Sequence, residues 1–300
     1  LLFKKGDIIF FESTVFPGVT DLCAKKIEKI SKLKSQKDFF VGYSPERINP
    51  GDPKRTIDKI SKIVSFENKN LQSRISKIYK LVTKKIVFSS NIREAETSKV
   101  IENIQRDLNI ALFNEIFMVC KKIGVNFKNV INLAGTKWNF TKYKAGLVGG
   151  HCLPVDPYYF SYLAKKSKIN TDIILAGRKV NNGMVKYSIN LINNFFLKKK
   201  NLKILICGMT YKKDVPDTRN SLALQIFKKL SKSKKNKFFA YDPVINNQDA
   251  IKNKIQNKNI DFKKYNNFIL LVDHYSVMKK LKKIKRNKIL DIFGLLNEKK

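Results

Sequence analysis

The sequence contains no apolar run that approaches the roughly 20 residues of a membrane span. It also does not open with the basic, apolar and small-residue segments of a signal peptide. Its four cysteines, at positions 23, 120, 152 and 207, lie far apart and form no C-x-x-C pair. That spacing excludes a zinc ribbon and a dense disulfide scaffold. We therefore expect reduced thiols in a cytosolic protein, with no metal and no membrane partner.

Acidic residues are scarce, because 24 Asp and Glu oppose 61 Lys and Arg and the net charge is +37. Such a charge is typical of proteins that bind nucleic acid. However, 53 of the basic residues are lysines that are scattered along the whole chain among many Ile, Asn and Phe residues. We interpret the charge as mostly genomic drift on solvated faces. We expect no nucleic-acid partner, and a basic nucleic-acid-binding α/β protein remains the alternative from a different class.

Strand and helix patterns alternate along the 300 residues, a length that suggests about two domains. In the first part, apolar runs predict strands at 7–12, 38–42, 61–66 and 86–90, with helices from Thr20 and over 68–83. This alternation is typical of a parallel α/β sheet. A second unit begins at Leu202, with strands predicted at 203–209, 238–243, 268–274 and 288–293. Its elements have a Rossmann-like order but lack the G-x-G-x-x-G fingerprint.

A long helical pattern spans about residues 93–123, with no proline inside it and Gly124 at its end. Apolar residues recur there at helical spacing, from Val100 to Ile123. Because such a length is unusual for a globular helix, we expect it to connect domains and to form a dimer contact. A further helix is predicted over 172–197.

Four polar clusters follow predicted strands: Glu12-Ser13-Thr14, Glu46 in Y-S-P-E-R, Gly208 to Arg219, and Asp273-His274. Ligands bind at the carboxyl ends of strands in open parallel sheets. Small polar residues also end strands simply to cap the next helix, so each cluster alone is a weak signal. The cluster from Gly208 to Arg219 carries two lysines and an arginine before a helix N-terminus, which suits a pyrophosphate, although ordinary surface charge is the alternative.

The segment 149–157, G-G-H-C-L-P-V-D-P, is the strongest chemical signal. Its two glycines permit a ligand or another backbone to approach closely. Cys152 lies outside any apolar period, so its thiol can act as a nucleophile if the thiolate is stabilised. A Cys–His hydrolase that pairs Cys152 with His274 is an alternative that requires the two side chains to be within hydrogen-bond reach.

Lys99 and Asn103 form an i, i+4 pair on the long helix and therefore share a face. Two interpretations are open for this pair. It is either a solvated lysine with a neutral neighbour, or an ammonium and an amide that face a developing oxyanion.

Five segments in order resemble the UDP-glucose/GDP-mannose dehydrogenase family. They are E-S-T-V-F-P-G (12–18), S-P-E-R-I-N-P-G-D (44–52), K-V-I-E-N-I-Q-R-D-L-N-I-A-L-F-N-E (99–115), G-L-V-G-G-H-C-L-P-V-D-P-Y-Y (146–159) and G-M-T-Y-K-K-D-V-P-D-T-R-N-S (208–221). Together with G-T-K-W-N-F (135–140), the pattern is most similar to the UDP-N-acetylglucosamine and UDP-N-acetylgalactosamine 6-dehydrogenases of polysaccharide pathways. The resemblance covers essentially the whole chain.

The resemblance implies two Rossmann-like parallel-sheet domains joined by a long central helix. Residues 1–90 would be the C-terminal part of an NAD-binding domain, 91–198 a central helical and dimer-forming domain with the cysteine loop, and 199–300 a UDP-sugar-binding domain. It further implies a homodimer and an NAD-dependent oxidation of C6 of the sugar from alcohol to carboxylate in two steps. The thiol would hold the aldehyde covalently as a thiohemiacetal and then as a thioester, so no reactive intermediate is released.

The resemblance also implies roles for individual residues. Cys152 would be the nucleophile, with Lys99 and Asn103 stabilising the oxyanion. Asp156 and Thr14 would transfer protons, and Glu46 would assist thioester hydrolysis. Residues implied to contact the substrate are Glu46, Lys99, Asn103, Gly149, Tyr211 and Lys212. Residues implied to contact NAD are Ser13, Thr14, Glu46 and Arg219.

Three departures from the family pattern carry expectations of their own. The family's first strand bears a G-x-G-Y-V-G fingerprint that this chain lacks, and the chain begins with Leu1. We therefore expect an N-terminal truncation of roughly 90 residues, at about 30 per βα unit, and weak or no activity from this chain alone. Val155 stands where many UDP-glucose members carry a lysine, which favours the N-acetylhexosamine subgroup and leaves UDP-glucose 6-dehydrogenase as the alternative. The segment 291–294 lacks a substrate-binding arginine of many members.

Overall fold

The computed structural model describes residues 3–258 and 260–297. Within them the chain forms two compact units. The first unit comprises residues up to Gln105 together with Val155–Asp172, and the second comprises Arg106–Pro154 together with the residues from Ile173 onward. The ends of the predicted domain ranges, residues 1–2 and 298–300, lie outside the described residues.

The first unit contains a four-stranded sheet in the order β1-β2-β3-β4. Its elements are β1 (Ile8–Phe11), α1 (Val19–Ser31), β2 (Phe40–Tyr43), β3 (Lys62–Phe66), α2 (Gln72–Lys80) and β4 (Ile86–Ser89). Glu96 satisfies donors at the start of α1, because its carboxylate accepts hydrogen bonds from the Gly18 and Thr20 N–H groups at 2.5 and 2.9 Å.

The prediction of an entirely parallel first sheet is wrong at one step, because β2 and β3 pair in antiparallel orientation. The connection over residues 44–61 contains no helix. Parallel neighbours usually need a helical crossover, whereas an antiparallel neighbour can return without one. The consequence is that the first residue of β3, Lys62, lies at the same edge as the carboxyl ends of β1 and β2.

The predicted long helix is confirmed as α3 (Ile92–Lys122), 31 residues in length. It contributes Ile92–Gln105 to the first unit and Arg106–Lys122 to the second. The helix predicted over 172–197 is confirmed as α6 (Asp172–Phe195). Two shorter helices between them were not predicted from the sequence: α4 (Phe127–Ala134) and α5 (Asp156–Lys166).

The second unit contains an entirely parallel five-stranded sheet in the order β7-β6-β5-β8-β9. Its elements are β5 (Lys203–Cys207), α7 (Leu222–Leu230), β6 (Lys237–Tyr241), α8 (Asn247–Asn253), β7 (Ile255–Gln256), β8 (Asn267–Leu270), α9 (Tyr275–Leu281) and β9 (Ile289–Asp291). Residues 204–207 of β5 have no exposed surface, because both faces of this central strand are covered. The predicted Rossmann-like order is thus confirmed, and the strand order reverses between β5 and β8.

Candidate functional site

A cavity of about 140 Å³ opens in the second unit where the strand order reverses. The segments after β5 and after β8 line it with residues 210–213 and 271–273, and the loop 145–149 lines another side. Crevices at such reversal points are the usual ligand sites of open parallel sheets. Gly208 permits the two segments to approach, since a Cβ atom there would lie 2.5 Å from the Val272 side chain. Three of the predicted segments therefore meet at one cavity.

Asp242, the residue after β6, holds the start of the segment 210–213 that lines this cavity. One carboxylate oxygen accepts hydrogen bonds from the N–H groups of Met209 and Thr210 at 2.6 and 2.9 Å, and it lies 3.0 Å from Nε2 of His274. Burial raises the pKa of Asp242, but the hydrogen bonds from His274 and from the two N–H groups outweigh burial and lower it overall. In dinucleotide-binding sheets an acid downstream of the fingerprint binds a ribose hydroxyl, whereas Asp242 is fully used inside the protein.

His274 is fully buried, and both of its ring nitrogens have partners. Its Nδ1 accepts a hydrogen bond from the Asp214 N–H at 2.9 Å, so the proton lies on Nε2 and is donated to Asp242. Cys152, in contrast, is exposed. The arrangement gives Cys152 no histidine base at position 274 and argues against the Cys–His hydrolase.

The loop that carries Cys152 is held against the segment 208–221. The Gly150 N–H donates to the Arg219 carbonyl oxygen at 3.0 Å, and the Asn220 side chain donates to the Gly150 carbonyl oxygen at 2.9 Å. Gly150 has a φ of +89°, and a Cβ atom there would lie 2.9 Å from the ring of Tyr211. The two glycines therefore permit the cysteine loop to approach the segment 208–221 of the same chain closely, and this approach places the loop beside the cavity.

The electrostatic interaction with Cys152 contributes to the raised pKa values of Arg219 and Tyr211. Arg219 donates two hydrogen bonds to Oδ2 of Asp217, from Nε at 3.0 Å and from Nη2 at 2.7 Å. The hydrogen bond and charge of Asp217 raise the pKa of Arg219, and Cys152 adds to this in smaller measure. Burial first, and then the charges of Asp217 and Cys152, raise the pKa of Tyr211. Tyr211, Lys212 and Gly149, all predicted substrate contacts, line the cavity, whereas Arg219, predicted to contact NAD, is paired with Asp217.

The first unit brings together a second set of predicted residues. The Asn103 side chain donates a hydrogen bond to an Asp156 carboxylate oxygen at 2.5 Å. Lys99 lies one helical turn before Asn103 and is only 8% exposed. The interpretation of Lys99 as a solvated lysine is therefore wrong.

The remaining predicted residues lie at the carboxyl edge of β1 and β2. Residues 13–14 follow β1, with the first side chain exposed and the second half-buried. Glu46 follows β2, and its carboxylate lies 3.9 Å from the ammonium of Lys62, which is also 3.4 Å from that of Glu12. The Tyr79 hydroxyl donates to Glu12 at 2.9 Å. Lys62 was missed in the sequence because nothing distinguishes it from the other lysines; only the antiparallel strand places it here.

In residues 3–258 and 260–297, no group of three or more His, Cys, Asp or Glu side chains is arranged to hold a metal ion. Across the same residues, no helix combines the length and the apolar character needed to cross a membrane.

Comparison with protein families assigns the chain in three consecutive parts. Residues 2–83 match the NAD binding domain of the UDP-glucose/GDP-mannose dehydrogenase family. Residues 93–183 match the central domain of that family, and residues 205–298 match its UDP binding domain. The three matches follow the order of the sequence motifs and include both units.

Individual relatives agree with this assignment. The chain is 41% identical to UDP-N-acetyl-D-glucosamine 6-dehydrogenase of Pseudomonas aeruginosa over 83% of this chain and 60% of that protein. It is 40% identical to Protein CapL of Staphylococcus aureus over 82% of this chain and 58% of that protein. The chain thus spans about 60% of the length of these relatives. The structure of a UDP-D-ManNAc dehydrogenase from Pyrococcus horikoshii superimposes with a TM-score of 0.84 at 28% identity, covering 99% of this chain and 71% of that one.

Proposed function

The chain belongs to the UDP-glucose/GDP-mannose dehydrogenase family, and we propose that it forms part of an NAD-dependent enzyme that oxidises C6 of a UDP-N-acetylhexosamine to the carboxylate. The observation that carries the proposal is the cavity at the strand-order reversal, beside which the exposed Cys152 is held. The names of the relatives support an N-acetylated sugar. Val155 in place of lysine supports it as well, and UDP-glucose is the alternative substrate.

The nucleotide end of the substrate suits the cavity in the second unit. Lys212 and Lys213 supply positive charge at its rim, and Tyr211 supplies a ring and a hydroxyl. The first residues of α7, Leu222 and Ala223, also line it, so the N-terminus of that helix favours a diphosphate.

Cys152 performs the covalent chemistry in this proposal. Its sulfur adds to the C6 aldehyde to form a thiohemiacetal, and oxidation of that adduct gives a thioester. Water then hydrolyses the thioester, which releases the carboxylate and restores the thiol. Arg219, which interacts electrostatically with Cys152, supplies a positive charge near the sulfur. A cysteine with this role needs a reducing compartment, so we place the protein in the cytoplasm.

Lys99, Asn103 and Asp156 assist the same chemistry in the proposal. The ammonium of Lys99, a residue that is only 8% exposed, is suited to an oxygen that becomes negative during reaction. Asn103 has its amide oriented by Asp156, so its position is fixed before substrate arrives. Asp156 and Thr14 relay protons through a water, and Glu46 assists the hydrolysis of the thioester.

NAD supplies the acceptor for the two hydrides when it is bound. The polar residues that follow β1 and β2 fit part of this cofactor, because the hydroxyl of Ser13 and the carboxylate of Glu46 are exposed at the carboxyl edge of the sheet. Ser13, Thr14 and Glu46 are therefore the residues of the first unit that we propose to hold it. A homodimer through α3 is also proposed, supported by exposed apolar side chains on this helix such as Leu112 and Val119.

The experiment follows NADH formation by the full protein expressed from its native locus with UDP-GlcNAc, UDP-GalNAc and UDP-glucose, and it measures UDP binding to the 300-residue chain by calorimetry. We expect two NADH per sugar with one N-acetylated substrate preferred, and no uronate from Cys152→Ala. Cys23→Ala is the matched control, because Cys23 is a half-buried free cysteine in α1. Absence of NADH with all three sugars would contradict the reaction, and absence of UDP binding would contradict the assignment of the cavity. A role in surface polysaccharide synthesis is proposed from the product, a sugar acid.

A further inference from the structure

Residues 141–149 of the second unit form neither helix nor strand, and part of this segment lines the cavity. Ala145, Gly146, Leu147 and Gly149 belong to the cavity wall. A segment without its own ladder of backbone hydrogen bonds takes its position from the side chains that bind it. The shape of this wall therefore depends on a few contacts from elsewhere in the unit.

Asn114 on α3 makes the central contact of this kind. Its side-chain oxygen accepts a hydrogen bond from the Gly146 N–H at 2.7 Å, and its side-chain nitrogen donates to the Gly146 carbonyl oxygen at 3.0 Å. The second amide hydrogen is donated to the Asn181 side chain at 2.9 Å. Asn114 has no exposed surface, so it holds both polar groups of one loop residue in the way that a neighbouring strand would.

A buried polar chain determines which way the Asn114 amide points. Asn181 donates to the Asp107 side chain at 2.8 Å and to the Asp107 carbonyl oxygen at 3.0 Å, which leaves its oxygen for Asn114. Asp107 is in turn paired with Arg178 at 2.6 Å. All four side chains are at most 2% exposed. Rotation of the Asn114 amide would set its oxygen against the Asn181 oxygen, acceptor against acceptor, so the polar chain excludes it.

We propose that Asn114 is a positioning residue for the nucleotide-sugar site, because it holds residues 145–147 in the shape that receives the nucleotide. This inference rests on the proposed function, since the ligand of the cavity is the one proposed above. It also gives a role to the F-N-E segment (113–115), which belongs to the motif at 99–115 but has no place in the proposed chemistry.

The test measures UDP binding to the 300-residue chain by calorimetry, together with amide hydrogen exchange of residues 141–149. Asn114→Ala removes all three hydrogen bonds, and we expect UDP affinity to fall at least about tenfold while the Gly146 amide exchanges faster. Asn114→Asp keeps the acceptor but loses both donors, and we expect a fall in the same direction. Leu281→Ala is the control for general destabilisation, because this fully buried residue of α9 lies outside the cavity wall. It should lower the melting temperature and leave UDP affinity within about twofold.

The outcomes separate the inference from the proposed function. Wild-type UDP affinity in the Asn114 variants would overturn the positioning role and leave the UDP site standing. An equal fall in Leu281→Ala would also overturn it, because the effect would then be general destabilisation. No UDP binding by the wild-type chain would remove the proposed function and this inference together. If Asn114→Ala does not fold, Asn114→Asp decides the question by the same criteria.

Discussion

Replacing Asp242 by asparagine tests whether this carboxylate holds the cavity segments together. Besides Met209, Thr210 and His274, it accepts hydrogen bonds from the N–H groups of Val244 and Ile245 at 3.0 and 3.3 Å. An asparagine offers one acceptor oxygen instead of two. Its least costly orientation turns the NH2 group toward these two N–H groups and leaves them without an acceptor.

The loss of stability in this variant comes from the two N–H groups, of Val244 and Ile245, that lose their acceptor. Each buried donor without an acceptor costs about 1–3 kcal/mol, and the loss of the charge beside His274 adds to this. We expect Asp242→Asn to lower the free energy of unfolding by about 3–5 kcal/mol and the melting temperature by roughly 10 °C. UDP affinity should fall too, because residues 210–213 line the cavity.

The assay is urea unfolding with thermal melts, at neutral and at acidic pH. The pKa of Asp242 is lower in the folded than in the unfolded state, so its stabilising contribution is present above the unfolded-state value of about 3.9. That contribution is lost as pH falls through the lowered folded-state pKa, so the difference between wild type and variant should shrink below about pH 4. Asp249→Asn, at a half-buried carboxylate in α8, is the control and should cost less than about 1 kcal/mol. A loss in Asp242→Asn no larger than in this control would refute the reasoning.

Two further predictions concern the cysteine loop and the core of the first unit. Gly150→Ala should destabilise the protein by about 1–2 kcal/mol and weaken UDP binding, because φ is +89° and the new Cβ atom would press on Tyr211. Gly183→Ala, in α6 with open space around it, should instead stabilise the protein by about 0.5–1 kcal/mol in the same thermal melts. If both variants melt alike, the backbone argument is wrong. Tyr43→Phe should leave stability unchanged or raise it by up to about 1 kcal/mol in urea unfolding, because the buried hydroxyl has no hydrogen-bond partner within residues 3–258 and 260–297. A loss above about 1 kcal/mol would show that it has one.

Much of the fold could be predicted because the signals are local. The apolar run at 203–209 indicates a buried strand, and the uninterrupted helical period over about 93–123 indicates one long helix. The antiparallel step between β2 and β3 could not be predicted in this way. Strand direction depends on how the chain returns after residue 43, and no pattern inside either strand records it.

Some residues of the candidate site could be predicted from the sequence, and others could not. The motifs identified Cys152, and the spacing of Lys99 and Asn103 placed them on one helical face. The burial of Lys99 contradicts the solvated alternative, and the spacing contained no sign of it. The position of Lys62 between two carboxylates could likewise not be predicted, because nothing in the sequence distinguishes it from the other lysines.

The sequence by itself determined the order of strands and helices, the cysteine loop and the family, because propensity, periodicity and motifs act over neighbouring residues. The tertiary structure alone decided which distant polar groups share a buried contact. Asp156 meets Asn103 across 53 positions, His274 meets Asp242 across 32, and Asn114 meets Gly146 across 32. Such pairs form where packing removes water from both groups at once, so each must find its partner in the other. That requirement depends on how the elements pack, which no short stretch of sequence specifies.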